Sequence, residues 1–333
     1  MKHEQMIEKN GLKVNNMSSS NFIKKISKEY SIYVCKHRGI PDITDGLKDV
    51  QRKMLWTMRN KNEKIKTISL AGSAIENNIY THGDGPASEA ISQLAAPYKN
   101  NVPYLKGEGN FGTRIGPDSW ASSRYTYVKK NNITEQLIYP DIDIVPLIDN
   151  YDKSTKEPKH FLPLIPLVLL NGISGIAVGW STDILPHNFY EIIDRCILEL
   201  KGKKVELLEP SFDYLNCSIE TIGPSEYMIS GKVEILDTST CSVTELPPFL
   251  SIEKFKEKLN IMEDEGKINE YKDKSTKTIN IEIKFPRGTL KNKTENDLIE
   301  ILKLKQKKSE RLVTISFNSE SVITFNDTTE IIE

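Results

Sequence analysis

The stretch ASSRYTYV, residues 121–128, sets a guanidinium, Arg124, directly beside a phenol, Tyr125, with a second phenol two residues on at Tyr127. On a strand Tyr125 and Tyr127 share one face, so spacing does not choose between them. A second group of chemistry-bearing side chains is cationic. Lys36, His37, Arg38, Lys48, Arg52 and Lys53 flank the turn-rich GIPDITDG and the start of LKDVQRKMLWTM. Backbone N–H groups and side-chain charge at such a place can hold phosphates jointly. A solvated basic helix face has the same spacing, and spacing leaves both readings open.

Two further patterns lead elsewhere. GEGNFG, residues 107–112, is a literal G-x-G-x-x-G, yet Gly116 and Pro117 break the stretch after it. No helix N-terminus is then offered to a pyrophosphate, and the glycines are read as loop geometry. Asp141 and Asp143 alternate in DIDIV without further ligands to complete a hard-cation site, so no metal is assigned to this chain. No Walker-type glycine loop occurs. The net charge of −1 gives no whole-chain polyanion signature, so any such site is a local patch. Cys35, Cys196, Cys217 and Cys241 lie far apart and are read as reduced thiols. No apolar run is long enough to span a bilayer, and no membrane role is expected.

The elements that must position these groups are legible in outline. Residues 1–20 form a polar arm ending in NNMSSS. Apolar positions recur at helical spacing in NFIKKISKEYSIYVCKHRGI, LKDVQRKMLWTM, ISLAGSAIENNIY and ASEAISQLAAPY. With a tight turn over residues 82–86, this resembles a helix-turn-helix core. A loop-rich stretch then runs into ASSRYTYV, read as a strand or wing. The Pro-rich FLPLIPLVLLNGISGIAVGW marks a change of texture and a boundary near residue 155. Beyond it, strand-like GKVEIL, CSVTELP, TINIEIKF and RLVTISF alternate with helix-like NFYEIIDRCILELKG, IEKFKEKLNIMEDEG and ENDLIEILKLK, so the chain is α+β in class.

Five pieces in order, RGIPDITDGLKDVQRKMLW, LAGSAIENNIYTHGD, LKGEGNFG, ASSRYTYV and FLPLIPLVLLNGISGIAVGWSTDILPHN, span residues 38–188. Together they resemble the breakage-reunion region of the type IIA DNA topoisomerases, with wording closest to the tailed-phage and eukaryotic members. The resemblance implies a winged-helix DNA-gate domain over residues 21–155 and an α/β tower domain over 156–333, with 156–188 as a connecting, DNA-bending segment. It also implies that Tyr125 attacks a DNA phosphodiester with Arg124 beside it, and that His82 lies near the scissile phosphate. Arg38, Lys48, Arg52 and Lys53 fall among the DNA-contacting cations. Ile176 matches the isoleucine that wedges between base pairs; burial statistics alone would place it in a core.

The sequence carries neither a GHKL ATPase nor a TOPRIM acidic cluster. The resemblance therefore implies Mg²⁺ held by a TOPRIM-bearing partner and ATP used by a partner. The expected assembly on double-stranded DNA is a homodimer through the winged-helix gate within a heterotetramer. The expected location is cytoplasmic and nucleoid-associated, in a bacterial or phage-infected cell. The coiled coil and exit gate of the family would begin near Glu333, and a naturally gate-less form is the expectation. The competing reading is a winged-helix protein that bends DNA and cuts nothing.

Overall fold

The computed structural model describes residues 18–117, 119–150, 152–317 and 321–333; most of the expected N-terminal arm lies outside them. Helix α1, Ser19–Val34, starts where the Ser18 side chain accepts the Asn21 N–H, and it buries none of its own residues. It runs into a π-helical turn, Cys35–Gly39, whose ends are buried while Arg38 stays exposed.

Three helices and a small sheet follow. Helix α2, Asp49–Met58, buries Met54, Leu55 and Met58; α3, Thr67–Glu76, buries Leu70, Ala71 and Ala74; α4, Asp84–Ala95, buries Ala87, Ile91 and Leu94. These are the one-face spacings that the sequence periodicity predicts. Strands β1, Ile65–Lys66, β2, Leu105–Glu108, and β3, Tyr127–Lys130, make an antiparallel sheet in the order β1-β3-β2. Leu105 and Val128 bring that sheet onto the helices.

The core does not part at residue 155. Phe161, Ile165, Leu167–Leu170, Ile184 and Ile192 belong to the same apolar cluster as α2, α3 and α4. The hairpin of β4, Leu147–Asp149, and β5, Lys156–Pro158, leads into α6, Leu167–Leu170, following the short α5, Asn132–Leu137. A second hairpin joins β6, Ile173–Ile176, to β7, Ser181–Ile184. Helix α7, Phe189–Leu200, begins on Asn188, whose side chain accepts the Tyr190 and Glu191 N–H groups. Strands β8, Ser218–Gly223, and β9, Glu226–Ser230, then pair antiparallel.

A separate core forms later in the chain. Strands β10, Lys232–Ile235, β11, Thr240–Glu245, β12, Glu270–Asp273, and β13, Ile281–Lys284, pair antiparallel in the order β10-β11-β13-β12. Val233, Val243, Ile281 and Ile283 pack there with Phe255 and Leu259 of α8, Ile252–Asp264, and Leu298 of α9, Glu295–Ile301. The mixed α+β class expected from the sequence is what is found, and all four cysteines are free.

Two buried titratable groups sit where late residues cross early ones. Glu310 accepts the Leu185 N–H at 2.7 Å, and burial pushes its carboxyl up from 4.5 to about 7. Burial takes His187 the other way, from 6.5 to about 4. The signs oppose. A carboxyl with a raised folded pKa contributes stability that is present below 4.5 and lost as pH rises through about 7. A histidine with a depressed folded pKa contributes stability present above 6.5 and lost as pH falls through about 4. Glu310→Gln should therefore remove the decline toward neutrality and leave stability rising between pH 4 and 6.5. Urea midpoints measured across that range check this, and a profile identical to that of the unaltered chain contradicts it.

Candidate nucleic-acid interface

Tyr125 lies in a turn that ends just before β3 begins at Tyr127, so the two tyrosines do not share a strand face as expected. The turn is docked on the start of α3. Thr67 N–H donates to Thr126 O at 3.0 Å, Ile68 N–H to Ser123 O at 3.1 Å, and the buried Thr67 and Thr126 hydroxyls lie 2.8 Å apart. The first N–H groups of a helix lack partners of their own, and here the tyrosine turn supplies them. Tyr125 itself is 70% exposed, with the Arg124 guanidinium 5.6 Å from its ring centroid. Tyr127 is occupied differently. It pairs with Lys66 on one side and Glu108 on the other, with the Lys64 and Lys66 ammonium groups 5.5 and 5.9 Å from its ring.

The cationic cluster divides into exposed and buried members. Arg38 is exposed on the π turn, its guanidinium 5.7 Å from the Tyr33 ring. Lys48 is half-buried and donates to Ser174 O at 2.7 Å, and burial lowers its pKa. Arg52 is not available as a DNA contact: it is buried, forks onto Asp45 at 2.6 and 2.9 Å, and donates to Leu47 O. Lys53 is likewise taken up, 3.1 Å from Asp49 Oδ2 and 3.0 Å from Glu157 Oε2. Both corrections have one cause. A cation in a folded core is retained only where carboxylates meet it, and the acids that do so here come from the preceding turn, from the first turn of α2 and from β5. Lys99, which the sequence reading passed over, joins Arg38, Lys48, Gln93 and Ser174 in lining a groove of about 500 Å³. A lone lysine in a loop carries no sequence signal of this.

Ile176 is 86% exposed at the end of β6, with Val178 and Trp180 also exposed on the same hairpin. This overturns the plain expectation of a core isoleucine. The hairpin is seated on the π turn: a Cβ on Gly175 would fall 1.8 Å from Gly39 O, so only glycine permits the approach. Arg38 and Ile176 are thereby held on adjoining backbone. His82 is exposed in the turn before α4, its ring edge-on to Tyr80 at 5.4 Å. In GEGNFG, Gly107 lies within β2 rather than in a loop, whereas Gly109 and Gly112 have φ of +112° and +87° in the loop expected of them, and among the described residues no helix follows before β3. Asp141 and Asp143 are exposed, and among the described residues no three His, Cys, Asp or Glu side chains converge on a metal seat.

These environments separate two arginines that the sequence treats alike. Arg38→Ala should weaken duplex DNA binding and reduce the slope of log K against log salt by about 1, with thermal stability unchanged. Arg52→Ala should instead cost about 3–5 kcal/mol of stability, because Asp45 is left buried and uncompensated. Denaturation and salt-dependent anisotropy titrations on both variants decide; the reverse pattern would contradict the assignment.

Comparison with known proteins agrees with the resemblance read from the sequence. The family of DNA gyrase/topoisomerase IV A subunits matches residues 38–333. DNA topoisomerase 2-alpha of Gallus gallus is 38% identical over 231 residues, 67% of this chain and 15% of that protein. DNA topoisomerase 2 of Bombyx mori is 36% identical over 254 residues, 72% of this chain and 16% of that protein. The chain thus spans about a sixth of the length of these relatives. The DNA-binding, cleavage and re-ligation domain of Plasmodium falciparum topoisomerase II superposes with a TM-score of 0.87 at 28% identity, covering 95% of this chain and 44% of that one. No described helix is long and apolar enough to cross a membrane. With a family match over nearly the whole chain and a shared fold, this chain belongs to the type IIA DNA topoisomerases, in the family of DNA gyrase/topoisomerase IV A subunits.

Proposed function

We propose that this chain is the DNA-cleaving and rejoining part of a type IIA topoisomerase, with Tyr125 as the nucleophile. The observation that carries the reading is the exposed Tyr125 beside Arg124, in a turn whose backbone is fixed to α3. The Tyr125 hydroxyl attacks a backbone phosphorus, the P–O3′ bond breaks, the phenolic proton is released, and the departing 3′ oxygen takes up a proton. The product is a 5′-phosphotyrosyl ester and a free 3′ hydroxyl. One phosphodiester replaces another, so attack by that hydroxyl reseals the strand without ATP.

A phenol is mostly protonated at neutral pH and needs positive charge nearby to become a nucleophile. Arg124 supplies it beside the ring and can meet the charge that gathers on the phosphoryl oxygens in the transition state. His82 is assigned to the scissile phosphate. Arg38, Lys48 and Lys99 are assigned to the duplex backbone, with Ile176 as the wedge that unstacks one base step at a cost of a few kcal/mol, about what bent DNA returns in added backbone contact. Mg²⁺ and ATP are assigned, on the family resemblance, to a TOPRIM- and ATPase-bearing partner. The winged-helix and tower assignments, dimerisation through the DNA gate and a cytoplasmic, nucleoid-associated setting belong to the same proposal.

The test mixes the chain with its TOPRIM-bearing partner, Mg²⁺ and supercoiled plasmid, and stops the reaction with detergent. Protein-linked broken DNA should form, vanish in Tyr125→Phe and persist within about twofold in Tyr127→Phe, whose ring has a packing role between strands. Plasmid that is bound and bent but never broken would move the assignment to an architectural DNA-bending protein.

A further inference from the structure

The loop ahead of Tyr125 does not hang free of the later β-rich core. Arg114 Nη2 donates to Leu246 O at 3.2 Å and to Pro247 O at 3.1 Å, where β11 ends. Its Nε lies 3.6 Å from Glu245 Oε1, an ion pair rather than a hydrogen bond, while that carboxylate accepts the Leu246 and Asn216 N–H groups. Arg114 and Glu245 side chains are only 16% and 11% exposed. The next residue, Ile115, packs against the second core itself. A single Nη2 amino group serves both carbonyls, while the planar guanidinium keeps Nε turned toward Glu245.

From Arg114 the loop is braced back toward Tyr125. The Thr113 and Gly116 backbones bond across the tip, Tyr98 OH donates to Pro117 O at 2.6 Å, and Ser119 N–H donates to Gly116 O. Asn110 then gathers the returning chain: its side chain donates to Ser119 O at 2.8 Å, and its carbonyl accepts the Ala121 N–H at 2.9 Å. Ser122 O accepts the Tyr125 N–H at 2.8 Å. Hydrogen bonds among the described residues thus brace the loop between the second core and the turn that bears Tyr125.

We propose that Arg114, seated with Ile115 on the second core, is a positioning residue that couples the place of Tyr125 to the place of that core. This rests on Tyr125 being the nucleophile. Displacement of the β11 end relative to α3 then moves the tyrosine relative to the phosphate, and DNA that holds both in register sets the attack geometry. A misplacement of about 1 Å at a reacting centre can lower a rate about a hundredfold, so a weakened latch need not be large in energy to be visible.

The experiment uses the full chain with its TOPRIM-bearing partner and Mg²⁺. In Arg114→Ala, the rate of covalent adduct formation at saturating duplex should fall about tenfold or more. The duplex concentration for half-maximal rate should stay unchanged, and Arg114→Lys should recover part of the loss. A parallel hydrogen-exchange measurement on the chain alone should show the Ala121 and Tyr125 amides exchanging faster in Arg114→Ala, with the Val128 amide unaffected. An undiminished rate, or a rate loss matched by a loss of DNA affinity, would overturn the latch, as would unchanged exchange at Ala121 and Tyr125. If the unaltered chain forms no adduct that depends on Tyr125, the nucleophile assignment fails, and the exchange arm still decides whether Arg114 braces the loop.

Discussion

The carboxylate of Asp45 is fully buried, and its two oxygens meet donors from three parts of the chain: Leu47 N–H in its own turn, the Arg52 fork in α2, and Phe161 N–H beyond β5. An unpaired carboxylate there would cost several kcal/mol, so the turn, the helix and the later segment must come together for any of them to be stable. Gly46 tightens the junction, since at its φ of +63° a Cβ would fall 2.3 Å from Val168 N. The consequences spread outward. With α2 fixed, Lys48 reaches Ser174, and Gly175 lies against Gly39, which sets the hairpin bearing Ile176 on the turn bearing Arg38. A buried ion pair thus determines where an exposed cation and an exposed isoleucine stand, although both of its members are shut away from solvent.

The tyrosine side of the site rests on a second set of constraints. The start of α3 needs acceptors, and the carbonyls of Ser123 and Thr126 provide them, which fixes the backbone on both sides of Tyr125 without covering its side chain. Tyr127, at the start of β3, is held between Lys66 and Glu108. The nucleophile proposed at Tyr125 has to be exposed and yet placed reproducibly. The turn meets both demands because its order comes from main-chain bonds, leaving the side chain free.

Much of this was readable from residue order alone, and the failures have physical causes. The helices of the first core and α7, α8 and α9 follow from apolar spacing, and Gly116 and Pro117 were enough to reject a dinucleotide loop in GEGNFG. Arg52 and Lys53 were misread because a cation's spacing does not reveal its counter-charge. Asp45 is seven residues from Arg52, and Glu157 is more than a hundred from Lys53, a separation that only the fold closes. Strand spacing does not separate Tyr125 from Tyr127, because it presumes one strand through both, whereas β3 starts at Tyr127. The change of texture near residue 155 was real as composition, yet Phe161 to Ile192 still pack on the first core, because a Pro-rich apolar stretch is as able to close one core as to leave it.

The broken DNA end is assigned to the exposed turn tyrosine and not to its neighbour on the strand. The most direct measurement is tandem mass spectrometry of the detergent-trapped complex after nuclease and trypsin digestion. Cleavage after Arg124 and Lys129 gives a peptide, YTYVK, that contains both candidates. A residual 5′-nucleotide mass on fragments containing Tyr125 alone is the predicted result. The same mass on Tyr127, or an unmodified peptide recovered from a reaction in which DNA has been broken, would contradict it.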